Sequence, residues 1–415
     1  MTFLLTEDQE MLRDTAMAFA RDEMPVTRLR QLRDSGANGV DAETRQKLAE
    51  LGFFGVIIPD EPGGEHFGLV GLGQVLEAQG RTLAPTPVLQ TALIAASALQ
   101  LGGSAEQQAE WLPKIAGGAT SFALALDETA HFNPLGVATE AESNGQGYTL
   151  NGMKRFVPDA HHAEMLIVVA RTFGEAGDRH GLTLFMVPAD AKGVSIQALN
   201  SVDSHGAAHV LLEDVMVPAT AVIGAVDKGA DVLEPVLDRA AIGQAAEMLG
   251  SADAAFEMTL EYLNNRKQFG QLIGSFQSLQ HRAAKMFTEL ELTRSCIAAA
   301  LAAVDDGKPN IAELASLAKA RAGELIHLVS NECVQMHGGI GMTDDADPGL
   351  YMKRARVQEA LYGSASWHRD PRTTSPSQRL FLYLSRHNLY VEFAGKLSKY
   401  SKNIQNSIAI LTIYF

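Results

Sequence analysis

Two adjacent glycines, Gly338 and Gly339, interrupt an apolar helical pattern in the stretch VQMHGGIGMTDDADPGLYMKRARVQEALYGSASWH, residues 334 to 368. Glycine costs a helix interior about 1 kcal/mol relative to alanine, so the pair implies that something approaches the backbone there, and a bulky ligand meets that need. The same residues also suit a plain helix end followed by a loop, with Gly341 as the cap. A second stretch lies about seventy residues upstream, NRKQFGQLIGSFQSLQHRAAKM, Asn265 to Met286. In it Arg266, Gln268, Phe269 and Gly270 close one helical pattern, and Phe276, Gln277 and Leu279 open the next. Asp344 and Asp345 fit a solvated helix N-terminus, where carboxylates face the positive end of the dipole. Cys296 and Cys333 sit in apolar helical patterns without a CxxC or a histidine cluster. They read as buried thiols of a reducing compartment, with no metal implied.

These stretches need long elements to position them, and the chain has the length: 415 residues, enough for two or three domains. Hydrophobic residues make up 46% and charged residues 20%, the balance of an ordinary globular protein. A formal net charge of −15 argues against nucleic acid as partner. Thr6, Glu7 and Asp8 before an apolar-periodic run mark a helix start rather than a cationic signal peptide. No run of about eighteen apolar residues occurs, so the sequence predicts no membrane span and a cytoplasmic protein.

Helical periodicity holds from residue 6 to 118, broken at 36 to 39, at 59 to 64, and at Pro85 and Pro87. Near residue 120 the period becomes strand-like. Asn151 and Gly152 stand between extended segments and predict a tight hairpin, and apolar runs at Met165 to Ala170 and Leu182 to Val187 predict buried strands. After Gly229 helices return, with Met248, Ala252, Phe256, Leu260 and Leu263 forming one apolar stripe that core packing explains. Helices, then strands, then helices is an α+β architecture of separate domains.

Taken in order, Arg266-x-x-Phe269-Gly270, Phe276-Gln277 and Gln335-x-x-Gly338-Gly339-x-Gly341 resemble the C-terminal half of the acyl-CoA dehydrogenase family. The first third adds Leu51-Gly52-x-x-Gly55, a Pro59-Asp60 passage with aspartate for the usual glutamate, and Trp111 to Lys114 before Gly117 and Gly118. The resemblance implies an N-terminal helical domain (1–119), a middle β domain (120–228) and a C-terminal four-helix bundle (229–370). The tail from 371 to 415 departs in composition and is read as an atypical extension without catalytic role.

That resemblance further implies FAD, which takes a hydride from the β-carbon of an acyl-CoA thioester while a carboxylate removes the α-proton. Arg266 and Phe269 then reach the FAD of a neighbouring subunit, and Gln277, Gln335, Gly338 and Gly339 line it. A shared cofactor implies a homo- or hetero-oligomer, with electron-transfer flavoprotein as acceptor. The usual glutamate of Tyr-Glu-Gly-Thr is absent, since the chain reads Tyr362, Gly363, Ser364, Ala365. Some members carry a carboxylate before an arginine on the first helix after the β domain. Asp238 is therefore the candidate base and Arg239 its substrate-side neighbour, against a plain surface or ion-paired aspartate. Over the flavin the common Thr-Glu-Pro passage becomes LeuAspGluThrAlaHisPheAsnPro, 126 to 134, and Trp-Ile-Thr becomes Phe156, Val157 and Pro158. Phe156 can stack, but Pro158 offers neither hydroxyl nor N–H. The variants also resemble a bacterial branch in which some members are one subunit of a heteromer, and a flavin monooxygenase on the same scaffold is the rival activity.

Overall fold

The structure is a computed structural model that describes residues 5–36, 39–61 and 63–370. The 371–415 tail lies outside the described residues. Helix α1 (Glu7–Glu23) opens on a reciprocal cap: the Thr6 hydroxyl accepts from the Gln9 N–H, and the Gln9 carboxamide accepts from the Thr6 N–H. Helices α2 (Val26–Ser35), α3 (Ala42–Glu50) and α4 (Gly68–Thr82) follow. A π-helical stretch, Leu89–Ala95, runs directly into α5 (Ala96–Gly102), and α6 (Ala105–Ala116) completes the helical third. Such wide turns are rare and concentrate at functional positions, and this one sets Leu89 and Gln90 against a cavity described below.

The β domain comprises β1 (Phe122–Ala125), β2 (Glu140–Ser143), β3 (Gly147–Pro158), β4 (Met165–Arg171), β5 (Leu182–Pro188), β6 (Val194–Leu199), β7 (Ala207–Pro218) and β8 (Val222–Ile223). They form one sheet in the order β6-β7-β3-β2-β4-β5-β8, with β1 added parallel to β4. Strand alternation divides its side chains between two cores. Phe122, Leu124, Ile167, Val169 and Leu184 join the helices, whereas Ala123, Leu166, Val168 and Phe185 fill the inside of the sheet. Being buried on both faces, β4 reads as a continuous apolar run.

The hairpin expected at Asn151-Gly152 falls elsewhere. Both residues lie inside β3, at a register shift between Leu150 and Gly152, and a Cβ on Gly152 would sit 2.5 Å from Thr139 Oγ1. The glycine is required by close packing. The turn is made instead at Asn144, whose side-chain oxygen accepts from the N–H groups of Gln146 and Gly147, with Gly145 at φ 84°.

The C-terminal bundle is α7 (Ala230–Asn265), the short antiparallel strands β9 (Lys267–Gln268) and β10 (Gln271–Leu272), α8 (Gln277–Asp305), α9 (Ile311–His337) and α10 (Pro348–Ala360), followed by α11 (Ala365–Arg369). Helix α7 also packs on α4, so Leu72, Leu76, Ile242 and Leu249 share one core across the two helical domains. Among the described residues no helix is long and apolar enough to cross a membrane.

Candidate functional site

The C-terminus of α7, the N-terminus of α8 and the C-terminus of α9 meet at one end of the bundle, where Tyr262 stacks on His337 with ring centroids 4.4 Å apart. Beyond α7 the chain turns between β9 and β10 through Phe269 and Gly270, at φ 55° and 80°, the pair of left-handed residues that a two-residue hairpin needs. That turn throws the Phe269 ring outward, 89% exposed, with an edge contact to Phe276 at 6.1 Å. Helix α9 stops at Gly338, at φ 64° and ψ −140°, so the cap falls three residues before Gly341. A Cβ on Gly338 or Gly339 would meet nothing within 4 Å. Arg266, Phe269, Gln277, Gln335, Gly338 and Gly339 are thus all exposed at this one end. Together they offer a guanidinium fork, amide groups, an aromatic face and an open backbone shelf, a set suited to an elongated anionic ligand. Asp344, expected at a solvated helix start, instead pairs with Arg33 and Arg30 of α2 at 2.8 and 3.1 Å.

A cavity of about 560 Å³ lies between the β domain and the helices. The N-terminal domain contributes Gln79, Leu89 and Gln90, the β domain Asp127, Phe156, Pro158, Asp159 and Asp203, and the bundle Gln244, Glu247, Arg354 and Tyr362. Gln90 Nε2 donates to the Tyr362 hydroxyl at 2.5 Å, closing one side. Across the cavity the Arg354 guanidinium donates to Asp203 at 2.7 Å and to Glu247 at 2.6 Å, and Gln358 also donates to Glu247, at 3.0 Å. All three charged side chains are buried, so one cation ties the β domain to two bundle helices.

The electrostatics follow from that burial. Desolvation alone would raise the Asp203 carboxyl, but the charge of Arg354 overrides it and brings the value to about 2. His205 is pushed down to about 4 by burial and then by Arg354, so the ring is neutral. Burial raises Asp127 to about 6 and Asp159 to about 7, each against a nearby cation.

Asp238 lies on α7 some six residues before Gln244, about 9 Å along the axis, and is not among the residues lining this cavity. Burial and then Glu234 raise its carboxyl to about 7. Arg239 turns away from it, donating to Ser97 Oγ at 3.2 Å, with Asp305 as the carboxylate that acts on it. At Gly363 the backbone is at φ 95°, and an added Cβ would lie 2.8 Å from Trp367 and 2.9 Å from His368 Nε2. The loop is pinned from below: Lys319 Nζ donates to the carbonyls of Gln358 and Gly363, and His368 Nε2 donates to that of Tyr362.

Family models for the N-terminal, middle and C-terminal domains of acyl-CoA dehydrogenase match residues 6–119, 123–215 and 227–371. A probable acyl-CoA dehydrogenase of Bacillus subtilis (strain 168) is 31% identical over 375 residues, 89% of this chain and 98% of that protein. Butyryl-CoA dehydrogenase from Megasphaera elsdenii superposes with a TM-score of 0.83 at 26% identity, over 89% of this chain and 97% of its own. A chain of the ChsE4-ChsE5 complex from Mycobacterium tuberculosis superposes with a TM-score of 0.80 at 27% identity, over 89% and 96%.

Proposed function

This chain belongs to the acyl-CoA dehydrogenase family, and from that premise we propose that it serves FAD-dependent α,β-dehydrogenation of an acyl-CoA thioester within an oligomer. When bound, FAD supplies the acceptor for the hydride that leaves the substrate β-carbon. The observation that carries the reading is the exposed bundle end. The open shelf at Gly338 and Gly339 and the free-standing Arg266 fork fit a pyrophosphate and the nucleotide beside it. Arg266 stands about nineteen residues beyond Glu247 on α7, about 28 Å at 1.5 Å per residue, so this cluster serves a cofactor seated mainly on a neighbouring subunit. Phe269, Gln277 and Gln335 complete that contact, Phe156 lies along the flavin side of the chain's own cavity, and electron-transfer flavoprotein is the acceptor.

Asp238 is the proposed base and Arg239 its substrate-side neighbour. A carboxyl near 7 is matched to proton abstraction at neutral pH, and the outward turn of Arg239 leaves that value undepressed. Asp238→Asn is expected to keep FAD and lose about 10² to 10⁴ in the rate of anaerobic flavin bleaching by acyl-CoA thioesters. A variant that bleaches as fast as the parent sinks the assignment. Bleaching without oxygen also separates dehydrogenation from monooxygenation.

A second reading, a subunit that completes a partner's site without turning over substrate, is favoured by the closed space at Gly363 and by the position of Asp238 outside the main cavity. A chain inert alone with every thioester yet active when co-expressed with a companion establishes that reading.

A further inference from the structure

Most charged side chains that line the cavity have a hydrogen-bonded or ion-paired partner, but among the described residues the carboxyls of two acids have neither. Asp203 and Glu247 share Arg354, and Arg356 bonds Asn331 and Glu359. Asp127 keeps Oδ1 buried without a hydrogen bond, whereas the Asp159 carboxyl, with no hydrogen bond or ion pair among the described residues, opens onto the cavity it lines. Both residues are half-buried, their remaining exposure being to the cavity they line. The chain is bent to deliver them. Strand β3 breaks register between Lys154 and Val157, and both Phe156 and Asp159 adopt left-handed backbone at φ 51° and 60°, a conformation non-glycine residues rarely keep. The turn is held by His162 and Ala163 N–H groups on the Asp159 carbonyl, and the Arg155 N–H donates to the Asp127 carbonyl at 2.6 Å. Backbone strain held in place by surrounding bonds beside a cavity points to a side chain placed for a ligand. Both carboxyls line the same cavity, within electrostatic reach of the Tyr362 hydroxyl.

A buried carboxyl oxygen left unpartnered, as at Asp127, is costly until something donates to it, and a carboxyl facing a cavity accepts in either protonation state. We propose that Asp127 and Asp159 are ligand-reading residues of this cavity, and that what they read is a hydrogen-bond donor, a hydroxyl or N–H, on the molecule bound there. This rests on the dehydrogenase reading for the site's identity. Two sources carry such a donor: an acyl group bearing a hydroxyl, and the ring N–H of the flavin.

The test is calorimetric and needs no turnover. Hexanoyl-CoA, 6-hydroxyhexanoyl-CoA and FAD are titrated into the full chain and into Asp159→Gly, Asp127→Ala and Asp159→Asn. Glycine suits the φ of position 159, and asparagine keeps an acceptor oxygen, so both are compatible with the fold. If the donor is on the acyl group, the parent prefers the hydroxylated thioester by about tenfold or more. That ratio then falls to within about twofold in Asp159→Gly and Asp127→Ala, while Asp159→Asn tracks the parent. If the donor is the ring N–H, the same two variants lose about tenfold in FAD affinity with the thioester ratio unmoved, and the proposal stands with the flavin as its ligand. The proposal is overturned if neither the ratio nor the FAD affinity changes, or if Asp159→Asn loses as much as Asp159→Gly. Failure of the dehydrogenase reading shows separately, as a flavin that no thioester bleaches.

Discussion

The exposed end of the bundle and the cavity between the domains belong to one chain yet are built on opposite terms. At the bundle end the groups that matter point outward: Arg266, Phe269 and the glycine shelf are exposed and make little use of one another. In the cavity the groups point inward and much of the charge is consumed internally, with Arg354 spanning Asp203 and Glu247, and Lys319 holding the loop at Gly363. On the proposed reading the outward region serves a neighbour, whereas the inward region lacks the glutamate of the Tyr-Glu-Gly-Thr arrangement of the family. A change should therefore be felt as stability inside and as assembly or cofactor content outside.

The largest effect expected is at Arg354. Arg354→Met leaves two buried acids without their cation, and breaking a buried pair this way costs about 3–5 kcal/mol. Denaturant unfolding measures it. The pH dependence is also specific. Asp203 titrates at about 2 when folded against about 4 when unfolded, so its contribution is present above about pH 4 and is lost as pH falls toward 2. In Arg354→Met burial is left to drive the Asp203 carboxyl upward, so its loss of stability toward low pH is removed or reversed. A variant that loses less than about 1 kcal/mol and keeps the parent's acid profile would dissolve the contrast between the two regions.

Next in size is the attempt to restore the missing glutamate. Gly363→Glu must place a side chain at φ 95° into space held by Trp367 and His368, a strain of about 1–3 kcal/mol before any clash is relieved. A lower melting temperature and no gain in anaerobic flavin bleaching are expected. A variant that bleaches faster than the parent would mean that the loop opens readily and that the cavity is less committed than its packing indicates.

The order of helices, strands and helices was legible because period and punctuation are local properties of the sequence. So was the bundle end: a glycine pair in a helix and a Phe-Gly turn after Arg266 are demands that the backbone makes on consecutive residues. The hairpin was misplaced because Asn151-Gly152 carries a turn signature, while the reason for that glycine is Thr139, a residue just before β2 and distant in sequence. The cavity was illegible for the same reason on a larger scale. Asp203, Glu247 and Arg354 come from separate elements, and no spacing announces that they share one ion pair. Two signals were available: Glu247 interrupts the apolar run from Ala245 to Leu249, and Asp127 lies in a passage that departs from the family's usual residues.

The smallest effect on stability, and the sharpest use of the comparison, is at the bundle end. Phe269 is 89% exposed and Arg266 is exposed, so Phe269→Ala and Arg266→Gln should each change unfolding free energy by no more than about 0.5 kcal/mol. Flavin content should nevertheless fall if, as proposed, these side chains, about 28 Å along α7 from the chain's own cavity, reach a neighbour's cofactor. The absorbance ratio of flavin to protein measures this, and the pattern identifies the assembly. In a homo-oligomer, Arg266→Gln and a flavin-side change within the same chain deplete the same flavin. In a heteromer, Arg266→Gln strips flavin seated on the companion, and changes at Phe156 leave that flavin in place. If Arg266→Gln retains full flavin in both arrangements, the outward cluster has another purpose and the division of labour between the two regions is wrong.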